Sequence, residues 1–242
     1  MTAGAGDVMT VAGATRARWI DNFLPSGAYF APLVLHGDCA MGDLESAWDR
    51  IHQWLAAHAP VVLASLGPPA TDEQFQRAET EMSVVLSDDV KACYRIHDGQ
   101  RVIPTPVSYH PTLKCAPSFL YGHRWHSLAD VTDYWHTLHD LRGEFSEVKG
   151  RPRGPIRKDW WNGKWIPITR DSAGDLHCLD LIPLKRGHVG QVIYWYHDEG
   201  ERFVVAESLT KWLTQFSHEL ERGEFTTAPD THGPGLVRVR DL

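Results

Sequence analysis

Four short runs rich in β-branched and aromatic residues, 165–169, 176–182, 190–196 and 202–206, follow one another with only Gly- and Asp-containing turns between them. Runs of this length and make-up read as strands. The turns are too short for the crossover helix that a parallel pair requires, which holds this half of the chain to a largely antiparallel sheet. Its landmarks are Trp165-Ile166-Pro167-Ile168, Asp171, Gly174, Asp180, Gly187 and Gly190-Gln191-Val192-Ile193-Tyr194. The unbroken apolar run Val192 to Tyr196 fits a central strand buried on both faces.

Helical periods dominate ahead of the sheet. Leu44, Trp48, Ile51 and Leu55 recur at helical spacing, with Asp43 placed to cap them. After Gly67-Pro68-Pro69, Thr71 and Gln74 have the spacing of a capping box, and Phe75, Ala78 and Met82 supply an apolar stripe. A third helix starts at Ser87, carries Val90, Cys93 and Tyr94, and stops at His97-Asp98-Gly99, where Gly99 can turn left-handed. Three helices therefore precede any extended piece.

Pro104, Pro106, Pro111 and Pro117 then permit only short extended pieces. Ser127 and Asp130 open a fourth helix bearing Val131, Tyr134, Trp135 and Leu138. Residues 142–164 read as a polar, mobile loop. After the strands, Ser208 caps a last helix carrying Leu209, Trp212, Leu213, Phe216 and Leu220, closed by Gly223. The fold class is α+β, with helices packed on a twisted, largely antiparallel sheet. Residues 1–40 are expected to be a loosely ordered extension, 41–226 the folded domain, and 227–242 a tail.

Charge and thiols narrow the function. A net charge of −7 argues against generic nucleic-acid binding, which needs a concentrated positive surface, and suits a basic protein partner. The four cysteines, Cys39, Cys93, Cys115 and Cys178, are too widely spaced to form a disulfide framework and read as reduced thiols of a cytoplasmic protein. No apolar run reaches the ~18 residues of a membrane span.

Among 14 histidines, His123 with His126 and His136 with His139 have three-residue spacing, but neither pair has the nearby Glu of a metalloprotease or a Cys pair to complete a tetrahedron. No metal or cofactor is expected. Cys93 and His97 could pair as nucleophile and base, but a place on the apolar stripe favours a buried, inert thiol. Asp171 and Asp180 could do acid–base work or hold a divalent ion, whereas an Asp before a turn ordinarily caps that turn. The basic loop carries Arg142, Lys149, Arg151, Arg153, Arg157 and Lys158 beside Trp160 and Trp161. In an acidic chain it reads as a solvated linker. Trp48, Trp135, Trp165 and Trp212 fall at core positions, while Trp125, Trp160 and Trp161 follow no core period and could anchor a partner.

The joint order of these features resembles the SUKH superfamily, and more narrowly its Smi-Knr type, named for the yeast cell-wall assembly regulator. The resemblance runs from about residue 43 to about residue 225. It departs at Val84-Val85-Leu86-Ser87, which lacks the proline usual before the third helix, and in the N-terminal extension. It implies a non-catalytic α+β domain. Bacterial members bind and neutralise toxins, many of them nucleases; fungal members look like regulatory scaffolds. The expectation is an immunity protein, with a regulatory scaffold or a metal-dependent enzyme as alternatives. Its partner-binding candidates are Asp98, Gln100, Asp171, Asp175 and Asp180 at helix and hairpin ends, with Trp160 and Trp161 as anchors.

Overall fold

The computed structural model describes residues 41–102, 116–145, 147–230 and 233–242. The expected extension, Cys39, Cys115 and the prolines Pro104, Pro106 and Pro111 lie outside them. Helices α1 (Met41–His58), α2 (Pro60–Ser65), α3 (Asp72–Met82) and α4 (Asp88–Ile96) come first, followed by the two-residue strand β1 (Arg124–Trp125) and α5 (Leu128–Leu141). Strands β2 (Arg151–Arg153), β3 (Trp165–Arg170), β4 (Leu176–Asp180), β5 (Gln191–Trp195) and β6 (Glu201–Ala206) precede α6 (Leu209–Glu221), and β7 (Phe225–Asp230) and β8 (Gly233–Arg238) close the chain with a single 3-10 turn.

Local chemistry accounts for the helix ends. Both capping boxes form, Thr71 with Gln74 on α3 and Ser127 with Asp130 on α5, and Ser208 accepts the backbone N–H of Lys211 at the start of α6. Ser87 does not cap α4 by itself: its hydroxyl donates to the Asp89 carboxylate instead. Gly99 adopts φ +63°, and a Cβ at that position would collide with the backbone N of Ser127, so only glycine lets the end of α4 press against the start of α5. The short α2 escapes a periodicity search because it makes a single turn and a half; Pro60 suits its first position, where no N–H is needed.

The six-stranded sheet has the order β1-β3-β4-β5-β6-β2, antiparallel throughout except for β2, which runs parallel to β6 at the edge. Residues paired directly across the strands share a face. His177, Tyr194 and Phe203 lie on one face, where the Trp212 ring of α6 packs 4.7 Å from the His177 ring. Trp195 and Arg202 lie on the other, where the Trp160 carbonyl accepts from the Trp195 indole N–H at 2.8 Å and from the Arg202 guanidinium at 2.9 Å. From Gly150 to Trp161 the segment 142–164 is thus a packed layer, not a mobile linker: Ile156, Trp160 and Trp161 enter the core, and Gly150 and Arg151 hydrogen-bond across to Lys158 and Gly200. Burying three large apolar side chains, at about 1.5–3 kcal/mol each, outweighs the polarity of the residues between them.

The expected tail also folds. Strands β7 and β8 form an antiparallel hairpin whose Leu236 is fully buried, and Arg238 joins it to α6 by an ion pair to Glu219 at 2.8 Å. No helix among the described residues is long and apolar enough to cross a membrane.

Candidate functional site

Most of the polar side chains nominated from sequence are fastenings inside the fold. Asp98 Oδ1 accepts the Leu128 N–H at 2.7 Å at the start of α5, and its Oδ2 accepts from the Gln74 amide at 2.8 Å. Burial raises its pKa against those hydrogen bonds. Gln100 donates to Ser65 Oγ and the Pro117 carbonyl and accepts the Trp125 N–H, joining three segments. Asp180 is fully buried: Oδ1 accepts from the Trp165 indole and the Ile182 N–H, Oδ2 from the Gln191 amide. Its pKa is raised by the same loss of water.

Trp125, Trp160 and Trp161 are buried as well and cannot serve as exposed anchors. Trp125 stacks on Trp48 at 5.2 Å, and Trp161 sets its ring edge-on to Trp165 and Trp195. Cys93 is a buried thiol whose pKa is pushed up by burial, and both ring nitrogens of His97 are engaged, Nδ1 with the Gly67 carbonyl at 2.6 Å and Nε2 with His52 Nε2 at 2.7 Å. His97 is therefore not available to activate the thiol. The spaced histidines go separate ways too: His139 stacks on Trp135, while His136 faces Glu81 at 3.6 Å.

Two nominated residues, Asp171 and Asp175, meet at one end of the sheet. Asp171 Oδ1 accepts the backbone N–H groups of Ala173, Gly174 and Asp175 at 2.8–2.9 Å, so the β3–β4 turn is capped by its own first residue. Asp175 Oδ1 then accepts both the backbone N–H of His197 at 3.0 Å and its ring Nδ1–H at 2.8 Å. This welds the β3–β4 turn to the β5–β6 turn. The imidazole Nε2 is left facing Asp198 at 3.7 Å.

Asp175, His197 and Asp198 bring one ligand atom each within 4.8 Å of one another. Asp175 Oδ1 accepts the His197 Nδ1–H, the arrangement in which a carboxylate orients an imidazole.

Around this weld lies an aromatic strip. Tyr194, Tyr196 and Phe203 are all half-buried; the Tyr194 ring is 4.6 Å from Tyr196 and 5.3 Å from Phe203, stacked parallel on the latter. Burial raises the Tyr196 phenol pKa, and the carboxylates of Asp175, Glu199 and Glu201 raise it further. Burial likewise raises that of Tyr194, with Asp175 and Asp171 adding to it. Rigid aromatic rings set among carboxylates on locked turns can recognise a partner by contact and charge. The sequence carried one missed signal: period two along β5 and its extension places Tyr194 and Tyr196 on the same face, and Phe203 opposes Tyr194 across the hairpin.

A profile of the SMI1 / KNR4 family (SUKH-1) matches residues 69–215, more than half of the chain and all of this site. Among characterised relatives, the cell wall assembly regulator SMI1 of Saccharomyces cerevisiae is 25% identical over 232 residues, covering 81% of this chain and 45% of the yeast protein. The cell wall biosynthesis/cell cycle regulator smi1 of Schizosaccharomyces pombe is 27% identical, covering 80% of this chain and 39% of its own length. The glucan synthesis regulatory protein of Neurospora crassa is 24% identical, covering 77% and 40%. The chain thus spans less than half the length of these relatives.

Proposed function

The chain belongs to the SMI1 / KNR4 family (SUKH-1), and from that premise we propose that it is a non-catalytic regulatory domain that works by binding another protein at the welded hairpin end. The observation that carries the proposal is the joint between Asp175 and His197, which holds the half-exposed Tyr196 and its neighbouring carboxylates on a rigid base. A preformed surface loses little entropy on binding, which is what a recognition site needs. Support for a regulatory role comes from the relatives, named as regulators of cell wall assembly and of glucan synthesis.

Of the two partners expected from sequence, a toxin and the assemblies of a regulatory scaffold, the names of the relatives favour the scaffold; the toxin reading keeps only the acidic balance of the chain as its support. The buried thiols of Cys93 and Cys178 are unpaired, which fits a reducing compartment, and we place the domain in the cytoplasm on that ground.

Photo-crosslinking tests the docking face. A benzoylphenylalanine at Ala173 or Asp198, on the welded turns, is expected to give an adduct of defined mass in cells that naturally make the chain, while the same group at Gln76, on the exposed side of α3, gives none. Adducts from Gln76 alone, or turnover of a small substrate by the purified chain, would overturn the assignment.

A further inference from the structure

Three arginines of this chain occupy one kind of seat, an aromatic ring with a carboxylate beside it. Arg95 lies 5.2 Å from the Phe75 ring and pairs with Asp72 at 2.9 Å. Arg153 lies 5.3 Å from the Phe203 ring and pairs with Glu201 at 3.2 Å. Arg238 lies 5.0 Å from the Tyr121 ring and 5.1 Å from that of Phe225, and pairs with Glu219 at 2.8 Å. The pairing follows from chemistry: a planar, weakly hydrated guanidinium gains from a π-face and a carboxylate together.

The welded hairpin end has the same components. The half-exposed Tyr196 ring lies 4.6 Å from that of Tyr194, and the charges of Asp175, Glu199 and Glu201 act on it, opposed by that of Arg153. Among the described residues no arginine or lysine lies over it. Asp175 accepts from His197 and Glu201 pairs with Arg153, while Glu199, three residues from Tyr196 in the same turn, receives Arg151 on its backbone carbonyl at 2.8 Å, so its carboxylate is the one assigned to an incoming cation.

We propose that Tyr196, flanked by Tyr194 and Glu199, is a seat for an arginine side chain of the partner protein. Resting on the docking face proposed above, it specifies the chemistry that this face reads. Arginine is favoured over lysine because its plane can stack on the ring while its edge meets the carboxylate, and lysine offers only a point charge.

The test is a nuclear magnetic resonance titration of the full chain with a capped Gly-Arg-Gly-Arg-Gly peptide, alongside the same peptide with lysine or with neutral citrulline. The arginine peptide is expected to shift the amides of residues 194–203, to bind at least about threefold more tightly than the lysine peptide, and to lose about fivefold in affinity with Tyr196→Leu. Should that variant fail to fold, Glu199→Gln serves, with an expected loss of about threefold. Equal shifts from the citrulline peptide, or shifts centred on the acidic α3 instead, would overturn the seat. The two proposals fail separately: crosslinks from Ala173 without an arginine preference remove the seat and leave the docking face, whereas an arginine preference without crosslinks removes the docking face.

Discussion

Asp180 and Asp175 lie at opposite ends of the same strand hairpin and look alike in sequence, yet they live in different physics. Asp180 is fully buried, with both oxygens taken by Trp165, Ile182 and Gln191. Asp175 ties two surface turns together and lies beside rings that remain open to solvent. The lesson is that a carboxylate on a strand end fastens the interior or ties surface turns together according to what the rest of the chain lays over it.

The comparison can be broken by substitution, starting with the interior. Trp161→Ala removes a ring held against Trp165 and Trp195, and urea unfolding should report a loss of about 3–5 kcal/mol. A loss under 1 kcal/mol would restore the mobile-linker expectation for residues 142–164. Asp180→Ala leaves the Trp165 indole without its acceptor and the Gln191 amide with only the Pro155 carbonyl at 3.4 Å, and an expected loss of about 3 kcal/mol follows in the same assay. At the welded end, Asp175→Asn keeps an acceptor for the His197 N–H groups and should cost only about 1 kcal/mol, while partner crosslinking from Ala173 falls. Glu199→Gln should leave stability within about 0.5 kcal/mol, so that any loss of binding reports recognition directly.

Acid sharpens the same contrast. Burial lowers the pKa of His177, with His123 nearby lowering it further, and burial is also the largest cause of the lowered values of His123, His126, His52 and His97. A histidine whose folded pKa lies below its unfolded value binds more protons when unfolded, so its contribution to stability is lost as pH falls through the unfolded value near 6.5. Asp98 and Asp180 act in the opposite sense, since their raised folded pKa values favour the folded state as they protonate at lower pH, above about 3.8. Thermal unfolding between pH 7 and pH 5 should therefore show a falling midpoint, and His177→Gln should flatten that slope. An unchanged midpoint would mean that the buried imidazoles carry no linkage.

Much of the framework was legible locally. The strands near 165–206 fall where alternation and turn residues put them, and Thr71, Ser127 and Ser208 cap the helices they were expected to cap. The self-capping of Asp171 was legible too, because an Asx turn closes within four residues. Illegible were the roles of Asp98, whose partner Leu128 lies thirty residues away, and of Trp160, whose carbonyl serves Trp195 and Arg202. Nothing local to a polar loop announces that it will cover a sheet. The hairpin of residues 225–238 was missed for a related reason: its anchors are Phe225 and Leu236, two buried residues at the far ends of a run rich in Pro, Gly and Thr.

Sequence by itself determined the α+β class and the antiparallel core of the sheet, since both follow from periods of two or 3.6 residues and from turns closed over a few positions, while the resemblance to the family came from the joint order of its motifs. Tertiary structure alone decided which carboxylates and tryptophans were withdrawn from water and which faced it. Burial depends on surfaces supplied by distant segments, and no window along the chain contains both partners.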